Sequence, residues 1–195
     1  NIIINNGYNG IYLYYIQSGD CLVRNNTING HSEYGLYWYS DSYSEYTLDA
    51  TNNSITNNHY GIYCNNGYGY NSISYNNCWN NSDGNYSGNL PSGTGNLTDI
   101  NANGNVSDIY YNISENPLYA SDSSDYSLQD GSPNIDAGNP DYTDIDATIS
   151  DIGALPVIQE VPIIQITSDD IVVNEIYFQK PDNADYNDPL YQDRI

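Results

Sequence analysis

Two short patterns recur along the first 77 residues, and this repetition constrains the fold more than any other feature of the sequence. The pattern Gly-apolar-Tyr-apolar begins at Gly10, Gly35 and Gly61, with steps of 25 and 26 residues. A less regular column of isoleucine-led triplets starts at Ile4, Ile28, Ile55 and Ile73. A nearly fixed period of this size is typical of a solenoid, in which each repeat adds one turn of chain.

The residues within each pattern indicate short strands. β-Branched and aromatic residues separated by Asn and Gly clusters are typical of strands joined by tight turns, whereas helical repeats need runs of Ala, Leu, Glu and Lys. A period of two predicts that Ile11, Leu36 and Ile62 share an interior column and that the tyrosines after them stack outside. Asn suits the corners, because it tolerates left-handed backbone and can form side-chain ladders between repeats.

The rhythm Asn-x-Ile-x-Asn-Asn-x-Tyr-Gly-Ile-Tyr resembles the NosD-like repeats of the pectin-lyase-like group. The resemblance implies an all-β fold, a right-handed parallel β-helix, which we place over residues 1–115. We expect the regular period to fade after residue 77 and the last turns to be irregular. Lyases, hydrolases, adhesins and inert spacers share this fold, so the resemblance implies no particular activity.

A second resemblance covers residues 116–155. The segments Asn116-Pro117-Leu118-Tyr119, Asp125-Tyr126-Ser127-Leu128-Gln129, Gly131-Ser132-Pro133-Asn134-Ile135-Asp136-Ala137-Gly138 and Asp151-Ile152-Gly153-Ala154 resemble the closing module of secreted bacterial and archaeal β-helices of the choice-of-anchor type. The last turn of a solenoid exposes unpaired edges and an open core. We therefore expect residues 116–155 to cap that end.

Residues 156–195 form a predicted linker and an extended, β-prone tail. Within it, residues 171–177 resemble the opening strand of a lamin-tail domain. Two strands alone cannot bury a core. We therefore expect the tail to be disordered or to donate a strand to a neighbouring copy.

The charge balance restricts the possible partners. Lys and Arg total 3 against 25 Asp and Glu, which gives a net charge of −22. Phosphate binding needs basic side chains, so we predict no nucleic-acid partner. No apolar run is long enough to span a bilayer, so we predict no membrane insertion. No secretory signal or initiator Met is present, and we expect a processed chain, or a piece of a larger one, that acts outside the cell or at its surface.

Tyrosine is the dominant aromatic residue, with 23 copies against one Phe. Its ring offers contact area with a polar tip, so glycans and other proteins are the expected partners. The candidates for stacking on a carbohydrate are Tyr12, Tyr37, Tyr39 and Tyr63. Asp141, Asp144 and Asp146 are candidate calcium ligands, although solvated loop acids are the alternative interpretation.

Modification sites are also suggested by the sequence. Seven Asn-x-Ser/Thr triplets make N-glycosylation candidates of Asn25, Asn52, Asn80, Asn85, Asn96, Asn105 and Asn112. The three cysteines include Cys64 and Cys78, which could form a disulfide in an oxidising compartment. In the alternative interpretation, Cys64 packs inside as a small hydrophobic residue.

No catalytic residue is predicted, and calcium is the one cofactor considered. Three basic residues cannot build the cluster that a polysaccharide lyase needs, and Asp41 with Glu45 is the nearest approach to a hydrolase pair. The favoured hypothesis is a structural surface protein, or a glycosylated fibril subunit, that contacts its own copies through solenoid ends or the tail strand. The alternatives are a carbohydrate-binding module and a polysaccharide-degrading enzyme. Stacked tyrosines need no ligand, because cross-strand packing already stabilises their sheet.

Overall fold

The computed structural model describes residues 1–14, 19–39, 47–65, 71–121 and 123–159, and its regular elements there are all strands. In chain order they are β1 (Ile2–Ile4), β2 (Ile11–Tyr14), β3 (Asp20–Arg24), β4 (Thr27–Asn29), β5 (Tyr34–Tyr39), β6 (Thr47–Thr51), β7 (Ser54–Thr56), β8 (Tyr60–Asn65), β9 (Asn71–Ser74), β10 (Asn77–Trp79), β11 (Gly84–Gly88), β12 (Asp99–Ile100), β13 (Val106–Ser107), β14 (Tyr119–Ser121) and β15 (Asp125–Leu128). The predicted tail beyond residue 159 and the pair Asp41 and Glu45 lie outside the described residues.

Three parallel sheets contain the repeats. The first sheet has the order β1-β4-β7-β10, the second has β2-β5-β8-β11, and the third has β3-β6-β9. The first three repeats each contribute one strand to every sheet, so paired residues are 23 to 27 positions apart. This all-β arrangement of stacked parallel sheets is compatible with a β-solenoid.

The interior column predicted from the Gly-led pattern is confirmed. Ile11 pairs with Leu36, and Leu36 pairs with Ile62, in the second sheet. Leu36 and Ile62 are fully buried, and the half-buried Ile11 packs against the same core. The tyrosines that follow them pair in the same register and face outward, because successive strand side chains alternate.

The predicted column of Ile4, Ile28, Ile55 and Ile73 is wrong at its first and last members. Ile3, rather than Ile4, faces the core and pairs with Ile28, while Ile4 is exposed. Ile73 belongs to the third sheet, where it pairs with Ala50. The interior column of the first sheet is Ile3, Ile28, Ile55 and Cys78. Neighbouring isoleucines gave no unique register, since a shift of one residue exchanges the two faces of a strand.

A fourth repeat is present where the periodicity of the sequence fades. Strands β10 and β11 extend the first and second sheets, and Tyr86 pairs with Ile62 at an interior position. Its ring packs against the core, and its hydroxyl donates to the carbonyl oxygens of Asn76 and Ile113 at 3.0 and 2.9 Å. The pattern missed this repeat because an inward tyrosine needs partners for its hydroxyl, which only the fold supplies.

Residues 116–155 pack along the outer face of the first sheet. The Tyr119 hydroxyl lies 2.5 Å from Ser54 Oγ, and Asn29 Nδ2 donates to the Tyr126 hydroxyl at 3.0 Å. Ser54 and Asn29 are outward residues of the first sheet, and both are buried. These contacts lie along the side of the stack, whereas the sequence predicted a cap over its end. The polar side chains of this segment match the polar outer face of a sheet instead.

The two ends of the stack differ. Beyond β11 the chain returns over the fourth repeat, where the Ile113 amide donates to the Asn76 carbonyl at 2.8 Å and Ile113 is fully buried. Gly95 lies against the Tyr86 ring at the same end. At the opposite end β1, β2 and β3 are edge strands, each paired on one side within the described residues. Among the described residues, one end of the stack is therefore covered, and no segment covers the other, which is called here the open end.

Candidate functional site

A row of stacked asparagines runs through the stack and is called here the first asparagine ladder. Its members are Asn1, Asn26, Asn53, Asn76 and Asn112, and each Nδ2 donates to the Oδ1 of the next at 2.8 to 3.0 Å. All except Asn1 are buried. The interpretation of corner asparagines as ladders between repeats is confirmed.

Each rung of the first asparagine ladder also fixes main chain. Asn53 Oδ1 accepts the Asn26 backbone N–H at 3.1 Å, and Asn53 Nδ2 donates to the Val23 carbonyl at 2.7 Å. The residues before two of the rungs, Asn25 and Asn52, have φ angles of 49° and 57°. Asn adopts this left-handed backbone more readily than most residues, which explains the paired asparagines at these corners.

A second asparagine ladder, formed by Asn58, Asn81 and Asn85, lies at another corner. Asn58 Nδ2 donates to Asn81 Oδ1, and Asn81 Nδ2 donates to Asn85 Oδ1, both at 2.9 Å. His31 occupies the preceding position, since its backbone N–H donates to Asn58 Oδ1 at 3.0 Å. The His31 ring nitrogens contact the carbonyl oxygens of Asn6 and Ile3 at 3.0 and 3.2 Å, so this buried histidine has a structural role.

An open groove of about 590 Å³ lies beside the second asparagine ladder and contains a cluster that the sequence did not reveal. His59 Nε2 is 2.9 Å from Asp83 Oδ2, and His59 Nδ1 is 3.9 Å from Glu33 Oε2. The three residues come from successive repeats and share one position of the repeat: Glu33 and His59 each lie two residues before their glycines, and Asp83 precedes Gly84, which pairs with Tyr60. All three side chains are more than one third exposed, so solvent screens their interaction.

The four tyrosines predicted to stack lie on the outer face of the second sheet. The rings of Tyr12 and Tyr37 are 4.5 Å apart and within 9° of parallel, and those of Tyr37 and Tyr63 are 5.9 Å apart and within 4°. Tyr39 stacks beside them against Tyr14, with ring centroids 4.8 Å apart. The structure therefore gathers all four candidates on one surface.

This stacking changes what the tyrosine surface can do. The rings of Tyr12, Tyr37 and Tyr63 lie face to face, so they use their faces on one another. Tyr37, in the middle of the row, is only 7% exposed, whereas Tyr12 at its end is 50% exposed. A sugar stacks on a ring face, and both faces of Tyr37 lie against neighbouring tyrosine rings. Carbohydrate stacking on the four tyrosines stays a prediction.

The seven N-glycosylation candidates differ in accessibility. Asn112 belongs to the first asparagine ladder and is fully buried. Asn52 is also fully buried, with its Oδ1 accepting the Asn139 backbone N–H at 2.8 Å. Neither can carry a glycan in the folded chain, which corrects those two predictions. Asn80 and Asn96 are exposed. Asn25, Asn85 and Asn105 are partly buried, and their side chains hydrogen-bond to Ser150, Asn81 and Pro133.

The candidate calcium ligands Asp141, Asp144 and Asp146 lie on one loop. Asp144 Oδ2 accepts the Asp151 backbone N–H at 2.7 Å, and Asp146 Oδ2 accepts that of Gln159 at 2.7 Å. In the described ranges, no group of three His, Cys, Asp or Glu side chains is placed to hold a metal. The carboxylates of Asp144 and Asp146 thus bind backbone N–H groups of this loop, as the alternative interpretation of solvated loop acids allows, and calcium binding stays a prediction.

A buried carboxyl lies close to this loop. Asp151 is 2% exposed, and its oxygens accept the backbone N–H groups of Asp136 and Val157 at 2.8 and 2.7 Å. Burial, together with the nearby charges of Asp144 and Asp136, raises the pKa of Asp151 to about 6 despite these hydrogen bonds. Removal from water also raises the pKa of Asp144.

The predicted disulfide is not formed. Cys21, Cys64 and Cys78 are all free thiols. Cys64 lies in the second sheet and Cys78 in the first, and both side chains are buried in the core. Burial raises the pKa of Cys64 to about 11 and that of Cys78 to about 12, so both remain protonated. The alternative interpretation of Cys64 as a small core residue is confirmed.

Comparison with known proteins adds no family. The chain matches no family model, no curated protein and no solved structure. A search of the described residues for a helix that is long and apolar enough to cross a membrane found none.

Proposed function

We propose that the chain is a structural module of an extracellular surface protein, built as a right-handed parallel β-helix. In this proposal two copies associate through their open ends. The observation that carries the proposal is the difference between the two ends of the stack.

The open end exposes strand edges and part of the apolar interior. Three edge strands end there, and the interior residues Ile3, Ile11 and Leu13 of the first repeat are half-buried against the core. Unpaired strand edges with apolar residues beside them favour pairing with another chain. Because the far end is covered by the returning chain, the proposal favours a closed pair of copies over a long filament.

Charge favours the same surface. The first 32 residues contain one acidic residue, Asp20, and one basic residue, Arg24, so the rest of the chain carries the net charge of −22. Interface cores are depleted in charged residues. The net charge of −22 opposes the approach of two copies in general, and this opposition is weakest where the nearly neutral first 32 residues meet.

Sedimentation velocity across a range of protein concentrations tests this proposal. The wild-type chain should form a dimer as concentration rises. Leu13→Lys should remain monomeric, since a charge at an edge strand opposes pairing. Ile145→Lys is the control, because Ile145 is an exposed apolar residue outside the stack and its replacement should leave the dimer intact.

The proposed association is wrong if the wild-type chain stays monomeric at every concentration. A dimer that survives Leu13→Lys would place the interface on another surface. Circular dichroism on each variant establishes that the substitution has not unfolded the chain.

A further inference from the structure

The two tryptophans of the chain have opposite environments. Trp38 lies in the core and is fully buried, whereas Trp79 is 38% exposed at the end of β10. Trp79 pairs with Thr56, and Thr56 pairs with Asn29, so it belongs to an outward column of the first sheet. The other members of that column are smaller, and Trp79 is the large aromatic ring on this face.

Trp79 forms one wall of a cleft of about 300 Å³ between the first sheet and the segment that follows residue 115. The remaining walls come from Thr56, Asn57, Asn80, Asn116, Pro117 and Tyr119. None of these residues carries a charge, although the chain as a whole carries −22. A volume of this size is at the lower end of the range for small-molecule sites.

The amides of the cleft are held in position by hydrogen bonds on one side. Asn80 Nδ2 donates to Asn57 Oδ1 at 2.7 Å, and Asn116 Oδ1 accepts the Leu118 backbone N–H at 3.0 Å. These contacts leave the side-chain oxygen Oδ1 of Asn80 as an acceptor and the side-chain nitrogen Nδ2 of Asn116 as a donor. Within the described ranges neither atom makes a hydrogen bond, so both can serve a bound molecule.

We propose that this cleft is a binding site for a neutral saccharide. A pyranose ring has an apolar C–H face and a rim of hydroxyl groups. The Trp79 ring supplies a surface for the apolar face, and the fixed amides of Asn80 and Asn116 supply an acceptor and a donor for the hydroxyls.

The charge of the chain selects against acidic sugars at this site. The cleft has no cationic side chain to neutralise a carboxylate, and the surrounding charge of −22 repels one. The site is separate from the tyrosine surface, where the rings stack on one another. It also does not depend on the association of open ends, so each proposal can fail without the other.

Intrinsic fluorescence tests the site directly, because Trp38 is buried and Trp79 is the tryptophan that a ligand can reach. The protein should be made in a host that does not glycosylate asparagine, so that Asn80 stays unmodified beside the cleft. The probes are glucose, galactose, mannose, xylose and N-acetylglucosamine, their short β-linked oligomers, and oligogalacturonate as the acidic comparison. We expect a saturable blue shift with at least one neutral probe and none with oligogalacturonate.

Two variants and one control make the result specific. Trp79→Ala should weaken binding of that probe by about tenfold or more in calorimetry, and Asn116→Ala by a few-fold. Tyr12→Ala, on the tyrosine surface, should bind as the wild type does. Unfolding midpoints of all three variants should show that each remains folded.

The proposal is overturned if no neutral probe gives saturable binding. It is equally overturned if Trp79→Ala binds with wild-type affinity, or if oligogalacturonate binds more tightly than every neutral probe. Loss of binding in Tyr12→Ala alone would assign carbohydrate recognition to the tyrosine surface instead.

Discussion

The Asn112 side-chain amide donates to both oxygens of the Asp108 carboxylate, at 3.2 and 3.0 Å. Asp108 is fully buried, and it ends the first asparagine ladder at the closed end of the stack. A carboxylate accepts hydrogen bonds and has no N–H group of its own that needs an acceptor. Asp108 can therefore end a row of donating amides, whereas an asparagine in its place would need a further acceptor for its own N–H groups.

Replacement of Asp108 should be costly. Its oxygens also accept the backbone N–H groups of Gly95 and Tyr110, at 2.7 and 2.8 Å, so Asp108→Ala leaves several buried donors without partners. We expect a loss of about 3 kcal/mol or more in the free energy of unfolding, measured by urea denaturation. Asp99→Ala is the control, since Asp99 is exposed, and it should change stability by less than about 0.5 kcal/mol. Equal effects of the two variants would contradict this role for Asp108.

A single charge inside the first asparagine ladder should destabilise the whole stack. Asn53→Asp replaces a donor with an oxygen that faces the carbonyl oxygens of Val23 and Thr51, at the 2.7 and 3.2 Å now occupied by hydrogen bonds. We expect a loss of about 3–5 kcal/mol at pH 7, partly recovered in acid when the new carboxyl is protonated. The same change at the exposed Asn96 should be nearly neutral. Denaturation of both variants at pH 7 and pH 4 tests this expectation, and a stable Asn53→Asp protein at pH 7 would refute it.

The pH dependence of stability should report on Asp151. Its folded pKa of about 6 lies above the ordinary aspartate pKa of 3.8, so the folded state binds this proton more tightly than the unfolded state does. The resulting stabilisation is fully present below pH 3.8 and is lost as pH rises through 6. The difference amounts to roughly 2–3 kcal/mol.

Asp151→Asn should remove this pH-dependent contribution to the free energy of unfolding. Urea midpoints of the wild type and the variant should be measured from pH 4 to pH 7. The wild type should lose stability relative to the variant as the pH rises, so the difference between the two curves should change across this range. Asp125→Asn is the comparison, because hydrogen bonds from Ser127 lower the pKa of the exposed Asp125 and its contribution has the opposite sign. Parallel curves for wild type and Asp151→Asn would show that the Asp151 pKa is not raised.

Glycan occupancy should follow exposure rather than the presence of a triplet. In a host that glycosylates asparagine, we expect sugar on the exposed Asn96 and none on the buried Asn112 of the folded, secreted protein. Mass spectrometry of glycopeptides should show that Thr98→Ala removes one glycan, whereas Ser114→Ala removes none. A glycan on Asn112 in folded protein would be incompatible with the first asparagine ladder.

The thiols should behave as three separate groups. With native protein, we expect a maleimide to modify the partly exposed Cys21 and to spare Cys64 and Cys78, whose buried thiols stay protonated. Unfolded protein should react at all three without prior reduction. An intact mass lower by two hydrogens, together with two unreactive cysteines after unfolding, would show a disulfide instead.

Local pattern determined the parts of this fold that depend on residue type and spacing. The Gly-led repeat correctly paired Ile11 with Leu36 and Leu36 with Ile62, because alternation along a strand fixes which side chains face the core. Paired asparagines at the corners gave the ladders for a similar reason, since both the left-handed backbone and the stacked amides are properties of that residue. Where the pattern was ambiguous, as at Ile3 and Ile4, it failed.

Only the tertiary structure decided which groups meet across the repeats. Tyr86 fills an interior position because the carbonyl oxygens of Asn76 and Ile113 are there to accept its hydroxyl proton, and no spacing in the chain encodes them. Asn112 is a buried rung of the first asparagine ladder, and both faces of Tyr37 are covered by neighbouring tyrosine rings. The sequence thus determined the repeating unit by itself, whereas the closed end, the packing of residues 116–155 and the cleft at Trp79 depend on contacts between residues distant in the chain.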